Sequence, residues 1–217
     1  LAEGEIHGQN GGYPIAIALS NDAVKLAVSM ININEGSVKS TIAFYNYGTV
    51  GQNEIDHCVG VNNYDDMVIP EMEFTSNDRM VVFGDTKAVI FEGAQKPQAI
   101  AEIAMDEKTK SIFYNERYIG IVTGNEDEAV TNHLAVYDEN GKLVMEKDFG
   151  LDYSSIEFLS NNEICIRNAN ACDIYTVHGV YKFHHEFEEE LFEIIPGKLK
   201  LNYTLVLKDT TQRIRLK

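Results

Sequence analysis

An aromatic residue at the end of a short apolar run recurs along this chain at nearly constant spacing. The intervals are 46, 46 and 38 residues, between Tyr45, Phe91, Tyr137 and Tyr175. Two other runs rich in Val, Ile, Phe and Tyr precede each aromatic run and a further run follows it, with Gly, Asn or Asp between runs. Four short strands in each repeat of about 40–45 residues are typical of the blades of a β-propeller.

The first two runs of each repeat are joined by a short polar turn. These turns are Ser20-Asn21-Asp22, Ser76-Asn77-Asp78, Asn115-Glu116-Arg117 and Ser160-Asn161-Asn162. Asn and Asp side chains tolerate the backbone conformations of tight hairpin turns. We therefore predict an all-β fold, a β-propeller of about five four-stranded antiparallel blades.

The blade boundaries follow from these runs. The 217 residues are predicted to form a single propeller domain with blades at about 13–61, 71–105, 111–149, 155–187 and 191–217. The last repeat has room for only three strands, and residues 4–8 could supply the fourth. Such an exchange would close the ring within a monomer and remove its exposed strand edges. The alternative, an arc cut from a larger propeller, stays open.

The composition excludes several classes of partner. The chain has 18 Lys and Arg against 34 Asp and Glu, a formal net charge of −16. Nucleic acids and anionic membrane surfaces bind cationic proteins, so neither is expected to be the main partner. The longest apolar runs, such as residues 15–19, are far shorter than the roughly 20 residues of a membrane-spanning helix. We expect no membrane insertion by this segment, and we interpret a chain that begins at Leu1 as a portion of a longer product.

Sequence signatures of catalysis and of cofactor binding are missing. The chain has no G-x-S-x-G, H-E-x-x-H or phosphate-binding glycine motif. His184 and His185 are adjacent in a predicted strand and would point to opposite faces, which indicates solvated histidines rather than a metal site. The sequence therefore predicts no metal, no cofactor and no enzymatic activity. The alternative is a glycan-processing or other hydrolase with two carboxylates near the central channel, for which Asp85 is the candidate.

Two of the three cysteines flank a predicted turn. Cys165 and Cys172 lie on either side of residues 167–171 and are expected directly opposite each other on adjacent strands. A cross-strand disulfide is one interpretation, and two buried reduced thiols are the other. Cys58 is free in either case.

Several stretches resemble an uncharacterised, clostridial-type family of propeller-like proteins with a domain of unknown function. The similar stretches are residues 37–46 with Gly48 and Gly51, 72–85, 111–122 and 212–217. Members of that family are typically preceded by a single membrane helix and displayed outside the cell. The resemblance implies an extracytoplasmic protein attached to the cell membrane through a segment absent from this chain. It implies no activity.

The predicted loops carry an uneven charge. In a four-stranded blade, the loops between the second and third strands and the connections between blades emerge on one face, which is strongly acidic here, whereas the other face is balanced. The two longest loops of the acidic face carry the candidate binding residues, namely Asp65, Asp66, Glu126, Asp127 and Glu128. Long loops on a rigid scaffold often hold binding residues, although acidic loops also serve solubility alone. We predict a non-enzymatic, extracytoplasmic binding propeller that engages a protein, peptide or cationic envelope component.

Overall fold

The structure is a computed structural model that describes residues 11–34, 36–46, 58–94, 96–124 and 132–215. Within these ranges the chain forms nineteen strands in five antiparallel sheets, four of them four-stranded. Each sheet is a meander in which consecutive strands are neighbours. The predicted all-β fold of four-stranded antiparallel blades is confirmed, and the sheets are called blades 1 to 5 in chain order.

The chain divides into two compact units. Residues 1–107 form the first unit and residues 108–217 the second. The first unit contains two blades. Blade 1 comprises β1 (Tyr13–Leu19), β2 (Lys25–Asn34), β3 (Ser37–Asn46) and β4 (Cys58–Asp65), and blade 2 comprises β5 (Glu71–Ser76), β6 (Arg79–Phe83), β7 (Lys87–Glu92) and β8 (Gln98–Ala104).

The second unit contains three blades. Blade 3 comprises β9 (Thr109–Tyr114), β10 (Tyr118–Gly124), β11 (Asn132–Asp138) and β12 (Leu143–Phe149), and blade 4 comprises β13 (Ser155–Phe158), β14 (Glu163–Arg167), β15 (Ala171–Thr176) and β16 (Tyr181–Glu186). Blade 5 has three strands in the described part of the chain, β17 (Leu191–Pro196), β18 (Asn202–Leu207) and β19 (Thr211–Arg215). Residues 4–8, predicted to add its fourth strand, lie outside the described residues.

Neighbouring blades within each unit share an apolar core. The middle strands are buried on both faces, as in β14, where Ile164, Cys165 and Ile166 are all fully buried. Aromatic rings meet at each of these junctions: Phe44 and Phe91 between blades 1 and 2, Phe113 and Phe158 between blades 3 and 4, and Phe183 and Tyr203 between blades 4 and 5. Their ring centroids are 5.4, 4.5 and 5.6 Å apart, a separation at which aromatic pairs attract beyond their burial.

A glycine makes room for one of these rings. Gly120 in β10 is paired with Phe113 in β9. A Cβ atom at Gly120 would lie 2.2 Å from the ring of Phe113, closer than two carbon atoms can approach. The absence of a side chain therefore allows Phe113 to occupy the position from which it contacts Phe158.

The polar turns tie neighbouring blades together. Between blades 1 and 2, the Asp22 N–H donates to Asn77 Oδ1 at 3.1 Å, and Lys25 Nζ donates to the Asn77 carbonyl at 2.6 Å. Between blades 3 and 4, Asn115 Nδ2 donates to Asn162 Oδ1 at 2.9 Å. The turn residues thus form both the hairpins and the junctions between them.

A lysine lies over a tyrosine ring at each of the three junctions, between blades 1 and 2, 3 and 4, and 4 and 5. The Nζ atom of Lys87 is 5.4 Å from the ring centroid of Tyr64, that of Lys147 is 5.3 Å from Tyr175, and that of Lys182 is 5.9 Å from Tyr203. Such contacts are attractive because the ring face is electronegative. Burial and the nearby Glu102 carboxylate raise the pKa of Tyr64 to about 12, so this phenol stays neutral.

A buried polar triad joins blades 4 and 5. Glu163 is buried at the start of β14, where Oε2 accepts a hydrogen bond from the Tyr203 hydroxyl at 2.6 Å and Oε1 pairs with Lys182. Lys182 Nζ also donates to the Tyr203 hydroxyl at 3.2 Å. Burial and the carboxylate raise the pKa of Tyr203. The three side chains therefore satisfy one another between the two sheets.

Candidate functional site

Three segments of the second unit meet beside blade 4. They are the connection between blades 3 and 4 (residues 150–154), the loop between β14 and β15 (168–170), and the connection to blade 5 (187–190). Asn168 Nδ2 donates to the Asp152 carbonyl at 2.8 Å, and the Phe187 N–H donates to the Asn170 carbonyl at 2.7 Å. The Leu191 N–H donates to the Ala169 carbonyl at 2.8 Å. Hydrogen bonds to the backbone therefore fix all three segments around one place.

The central loop owes its shape to an asparagine. Asn168 Oδ1 accepts the N–H groups of Asn170 and Ala171 at 2.9 and 2.8 Å. This side-chain turn is one that Asn forms readily, because its short amide reaches the backbone two residues on. The loop is thereby held in one conformation by its own sequence.

These segments border a cavity of about 560 Å³ that is open to the solvent. The volume lies within the roughly 300–1,000 Å³ that small-molecule and side-chain sites occupy. Its lining is part apolar and part polar, and consists of Leu151, Asn168, Ala169, Asn170, Ala171, His184, Glu186 and Phe187. The cavity is thus able to receive a group that has both an apolar and a polar part.

An Asp–His pair stands at the cavity wall. Asp173 in β15 lies opposite His184 in β16, and His184 Nδ1 is 2.8 Å from Asp173 Oδ1. The Asp173 side chain is only 13% exposed. On the other side of the ring, His184 Nε2 is 3.7 Å from Glu186 Oε1. The hydrogen bond to Asp173, followed by its charge and by Glu186, raises the pKa of His184.

Carboxylates are exposed around this cavity, and two nearby basic side chains, Arg167 and Lys182, are engaged within the protein, whereas Lys208 beside Glu190 is exposed. The exposed acidic residues of the surrounding segments are Asp152, Glu186, Glu188, Glu189 and Glu190. Arg167 binds Glu157 through Nε at 3.3 Å and the Leu191 carbonyl through Nη1 at 3.3 Å. Lys182 belongs to the triad with Glu163.

The other acidic binding candidates are not among the residues that line this cavity. Asp65 is exposed at the end of β4, with its carboxylate 3.5 Å from Lys39 Nζ. Asp66 follows with a positive φ of 52°, and its N–H donates to the Val38 carbonyl at 2.8 Å. Glu126, Asp127 and Glu128 lie outside the described residues.

Asp85, the candidate of the hydrolase alternative, ties two segments together. Its carboxylate accepts the Val68 N–H at 3.1 Å, and its own N–H donates to the Val68 carbonyl at 3.1 Å. Asp85 thus holds the loop after β6 against the connection that enters blade 2, much as Asn168 does in blade 4. The hydrolase alternative itself stays a prediction.

The two cysteines of blade 4 are free thiols buried in the core between blades 4 and 5. The expectation that they lie directly opposite each other is wrong, because Cys165 is paired with Ile174 and Cys172 with Arg167. The side-chain turn at Asn168 closes the hairpin tightly and moves the pairing by two residues. The disulfide is therefore not formed in this structure.

We expect Cys165 and Cys172 to resist alkylation in the folded protein. Burial raises the pKa of Cys165 and brings that of Cys172 to about 12, so neither forms the reactive thiolate at neutral pH. Iodoacetamide should modify the half-buried Cys58 at least about 100-fold faster, as followed by peptide mass spectrometry. In denaturant all three should react at similar rates. Equal labelling of Cys58 and Cys172 in the native protein would contradict the buried placement.

The pair of Asp173 and His184 is the part of the site that the sequence interpretation missed. The prediction that His184 is a solvated histidine agrees with its exposure but does not include its pairing with Asp173. Blade 3 also has a His–Asp pair on its third and fourth strands, but with the two residues exchanged, His133 Nδ1 lying 2.8 Å from Asp148 Oδ1. Among the residues that the structure describes, no three His, Cys, Asp or Glu side chains gather in a way that could hold a metal ion. None of these residues belongs to a helix with the length and apolar character of a membrane span.

Comparison with solved structures finds β-propellers. One similar structure is the β-propeller domain of the Trilobed protease from Pyrococcus furiosus. The alignment covers 96% of this chain and 72% of that domain, with 9% sequence identity and a TM-score of 0.51. The Pan2 WD40 domain of Neurospora crassa matches 92% of this chain with 6% identity and a TM-score of 0.49, and the chain spans 61% of the length of that domain. At 9% identity, the likeness to the propeller domain of the Trilobed protease shows the fold alone.

Sequence comparison gives the family. No curated protein is significantly similar in sequence. One family profile matches residues 1–216, nearly the whole chain. The chain belongs to DUF5711, a family of unknown function.

Proposed function

We propose that this chain is a non-enzymatic binding module whose loops engage a protein or peptide that carries cationic side chains. The β-propeller fold suits protein interaction, because rigid blades present several loops together. The observation that carries the proposal is the cavity beside blade 4, which has exposed carboxylates around it while Arg167 and Lys182 are engaged inside the protein.

The charge distribution favours a cationic partner over a neutral one. Exposed carboxylates on neighbouring loops attract a positive surface over several ångströms and raise the rate at which the two proteins meet. The net charge of −16 acts in the same direction. The proposal therefore predicts binding whose rate falls as salt screens the charges.

Replacing Glu188, Glu189 and Glu190 by glutamine should weaken binding of a short oligolysine peptide. These exposed side chains contribute three charges beside the cavity, and we expect the association rate to fall about tenfold at low ionic strength. Biolayer interferometry with the immobilised peptide measures this rate, and the difference from the unmodified protein should shrink at high salt.

The matched control removes three charges elsewhere. Glu73, Glu116 and Glu193 are also exposed but lie outside the segments around the cavity. Their replacement by glutamine should reduce the rate much less. Equal effects of the two triple variants would mean that only the overall charge matters, and an oligolysine peptide that fails to bind at all would overturn the proposed function.

The acidic candidates of the other loops enter the proposal as a second part of the binding surface. They are Asp65, Asp66, Glu126, Asp127 and Glu128. If they take part, replacing all five by their amides should weaken retention of the protein on a native cell-envelope fraction. Unchanged retention would remove these residues from the binding surface.

We also propose that the protein works outside the cytoplasm, attached to the cell membrane through a segment that precedes this chain. The similarity of residues 37–46, 72–85, 111–122 and 212–217 to membrane-displayed proteins supports this location. Protease treatment of intact cells should then cleave the full-length product. Protection of the product in intact cells, with cleavage after lysis, would contradict the location.

A further inference from the structure

We propose that the cavity beside blade 4 is a pocket for a single lysine side chain of the partner, with Glu186 and His184 as the acceptors of its ammonium group. The inference rests on the proposed function and adds to it the residue type that the protein recognises.

The walls of the cavity suit the aliphatic part of such a side chain. Leu151, Ala169, Ala171 and Phe187 contribute apolar surface, and Phe187 is itself buried. Lysine places four methylene groups between its backbone and its charge, and these gain from contact with apolar surface while the ammonium group reaches a polar site. The cavity offers both kinds of surface within about 560 Å³.

Two acceptors stand at the polar end. His184 Nε2 and Glu186 Oε1 are 3.7 Å apart, too far for a good hydrogen bond to each other. One nitrogen placed between them can lie within about 2.9 Å of both atoms. An ammonium group has three N–H donors, so a single Nζ atom can serve both acceptors.

Asp173 prepares the histidine for this role. Its carboxylate accepts the hydrogen bond from His184 Nδ1 at 2.8 Å, so at a pH above the raised pKa of the ring the single proton stays on Nδ1 and Nε2 is an acceptor. Because Asp173 is largely buried, the orientation of the ring is fixed before a ligand arrives. Asp173 is therefore a positioning residue, and Glu186 supplies the charge.

The loop in front of the cavity allows a direct steric test. Ala169 is exposed, and its carbonyl rather than its side chain ties the loop to Leu191. A larger side chain at this position should fill the opening without breaking the hydrogen bonds that hold the loop. The Ala169→Phe variant thus blocks the pocket while leaving the surrounding carboxylates in place.

The test uses the whole chain with Nα-acetyl-lysine amide as probe, at a pH above the raised pKa of His184, where the ring is neutral. The ring resonances of the six histidines are followed by NMR, and those of His184 are assigned by their loss in His184→Gln. The lysine probe should shift the His184 signals in a saturable way, whereas the uncharged Nα-acetyl-norleucine amide should not. Glu186→Gln should weaken the interaction about tenfold or more, since it removes a charged acceptor. Glu188→Gln removes the same charge beside the cavity and should have little effect.

The outcomes separate this inference from the proposed function. If the lysine probe leaves His184 unshifted, or if Ala169→Phe and Glu186→Gln bind oligolysine as well as the unmodified protein does, the pocket is wrong. The proposed function, binding of a cationic partner by the acidic loops, is then still supported if the Glu188, Glu189 and Glu190 triple variant loses binding. If oligolysine does not bind the unmodified protein, both ideas fail.

Discussion

Replacing Phe91 by alanine should lower the free energy of unfolding by about 3–5 kcal/mol, the usual cost of removing a fully buried ring. Phe91 is completely buried in the core shared by blades 1 and 2, and its ring centroid lies 5.4 Å from that of Phe44. Removal of the ring leaves a cavity and ends this aromatic contact. A loss of this size is a large part of the total stability of an ordinary domain, which is about 5–15 kcal/mol.

Urea unfolding followed by circular dichroism measures this loss, because the chain has no tryptophan to serve as a fluorescent probe. Phe91→Leu is the matched control, since it keeps most of the volume and should cost no more than about 1.5 kcal/mol. Hydrogen exchange should show that the weakened amides lie in blades 1 and 2. An alanine variant within about 1 kcal/mol of the unmodified protein would show that the two blades do not share a tight core.

Glu163→Ala should cost about 3 kcal/mol, because it leaves both of its partners without their acceptor. Lys182 is mostly shielded from water, and Tyr203 is almost fully buried. Without the carboxylate, Lys182 retains the Tyr203 hydroxyl but loses its charged acceptor, and the buried Tyr203 hydroxyl loses the acceptor of its own hydrogen bond. The loss should therefore exceed what the apolar contacts of Glu163 alone would explain.

Two other variants separate the triad from ordinary surface pairs. Tyr203→Phe removes one donor but leaves Glu163 paired with Lys182, and should cost about 1–2 kcal/mol. Lys39→Ala breaks the exposed pair with Asp65 and should cost less than about 1 kcal/mol. Chemical denaturation of the three variants measures their losses of stability, which should decrease from Glu163→Ala to Tyr203→Phe to Lys39→Ala. A Glu163→Ala loss as small as that of Lys39→Ala would mean that water reaches the triad.

The strands could be predicted from the sequence because each blade repeats the same apolar periodicity. Taken alone, the pattern of residues 98–105 fits the period of a helix as well as the alternation of a strand. The structure has a strand there, Gln98–Ala104, paired with β7. The prediction of a strand for this segment is therefore confirmed.

The contacts across strands could not be predicted, because they depend on register and hence on turns of a few residues. The tight turn at Asn168 separates Cys165 from Cys172 by two positions in the ladder. The turn after β15 places Asp173 opposite His184. Both registers follow from the residue at which the hairpin turns. Apolar periodicity predicts the position of that turn only to within one or two residues.

Polar residues in the loops also have structural roles that the sequence does not reveal. Asp85 and Asn168 each follow the second strand of their blade, and each bonds to the connection that enters the same blade. A carboxylate in a loop suggests a site residue, whereas the Asp85 carboxylate accepts the hydrogen bond of the Val68 N–H group. Charge in a loop therefore indicates function only after the hydrogen bonds of the backbone have been counted.

The lysine–tyrosine contacts between blades depend on the order of the blades. At the junction of blades 1 and 2 the tyrosine comes from the fourth strand of the earlier blade and the lysine from the third strand of the later one, whereas between blades 3 and 4 the two residue types are reversed. A copy of blade 2 inserted after blade 3 would place Phe91, the equivalent of Tyr175 in the repeat, next to blade 3, and would separate the copied Lys87 from the Tyr64 ring. The copied blade would thus leave its own lysine–tyrosine contact behind, so each of these contacts depends on which blade comes before which.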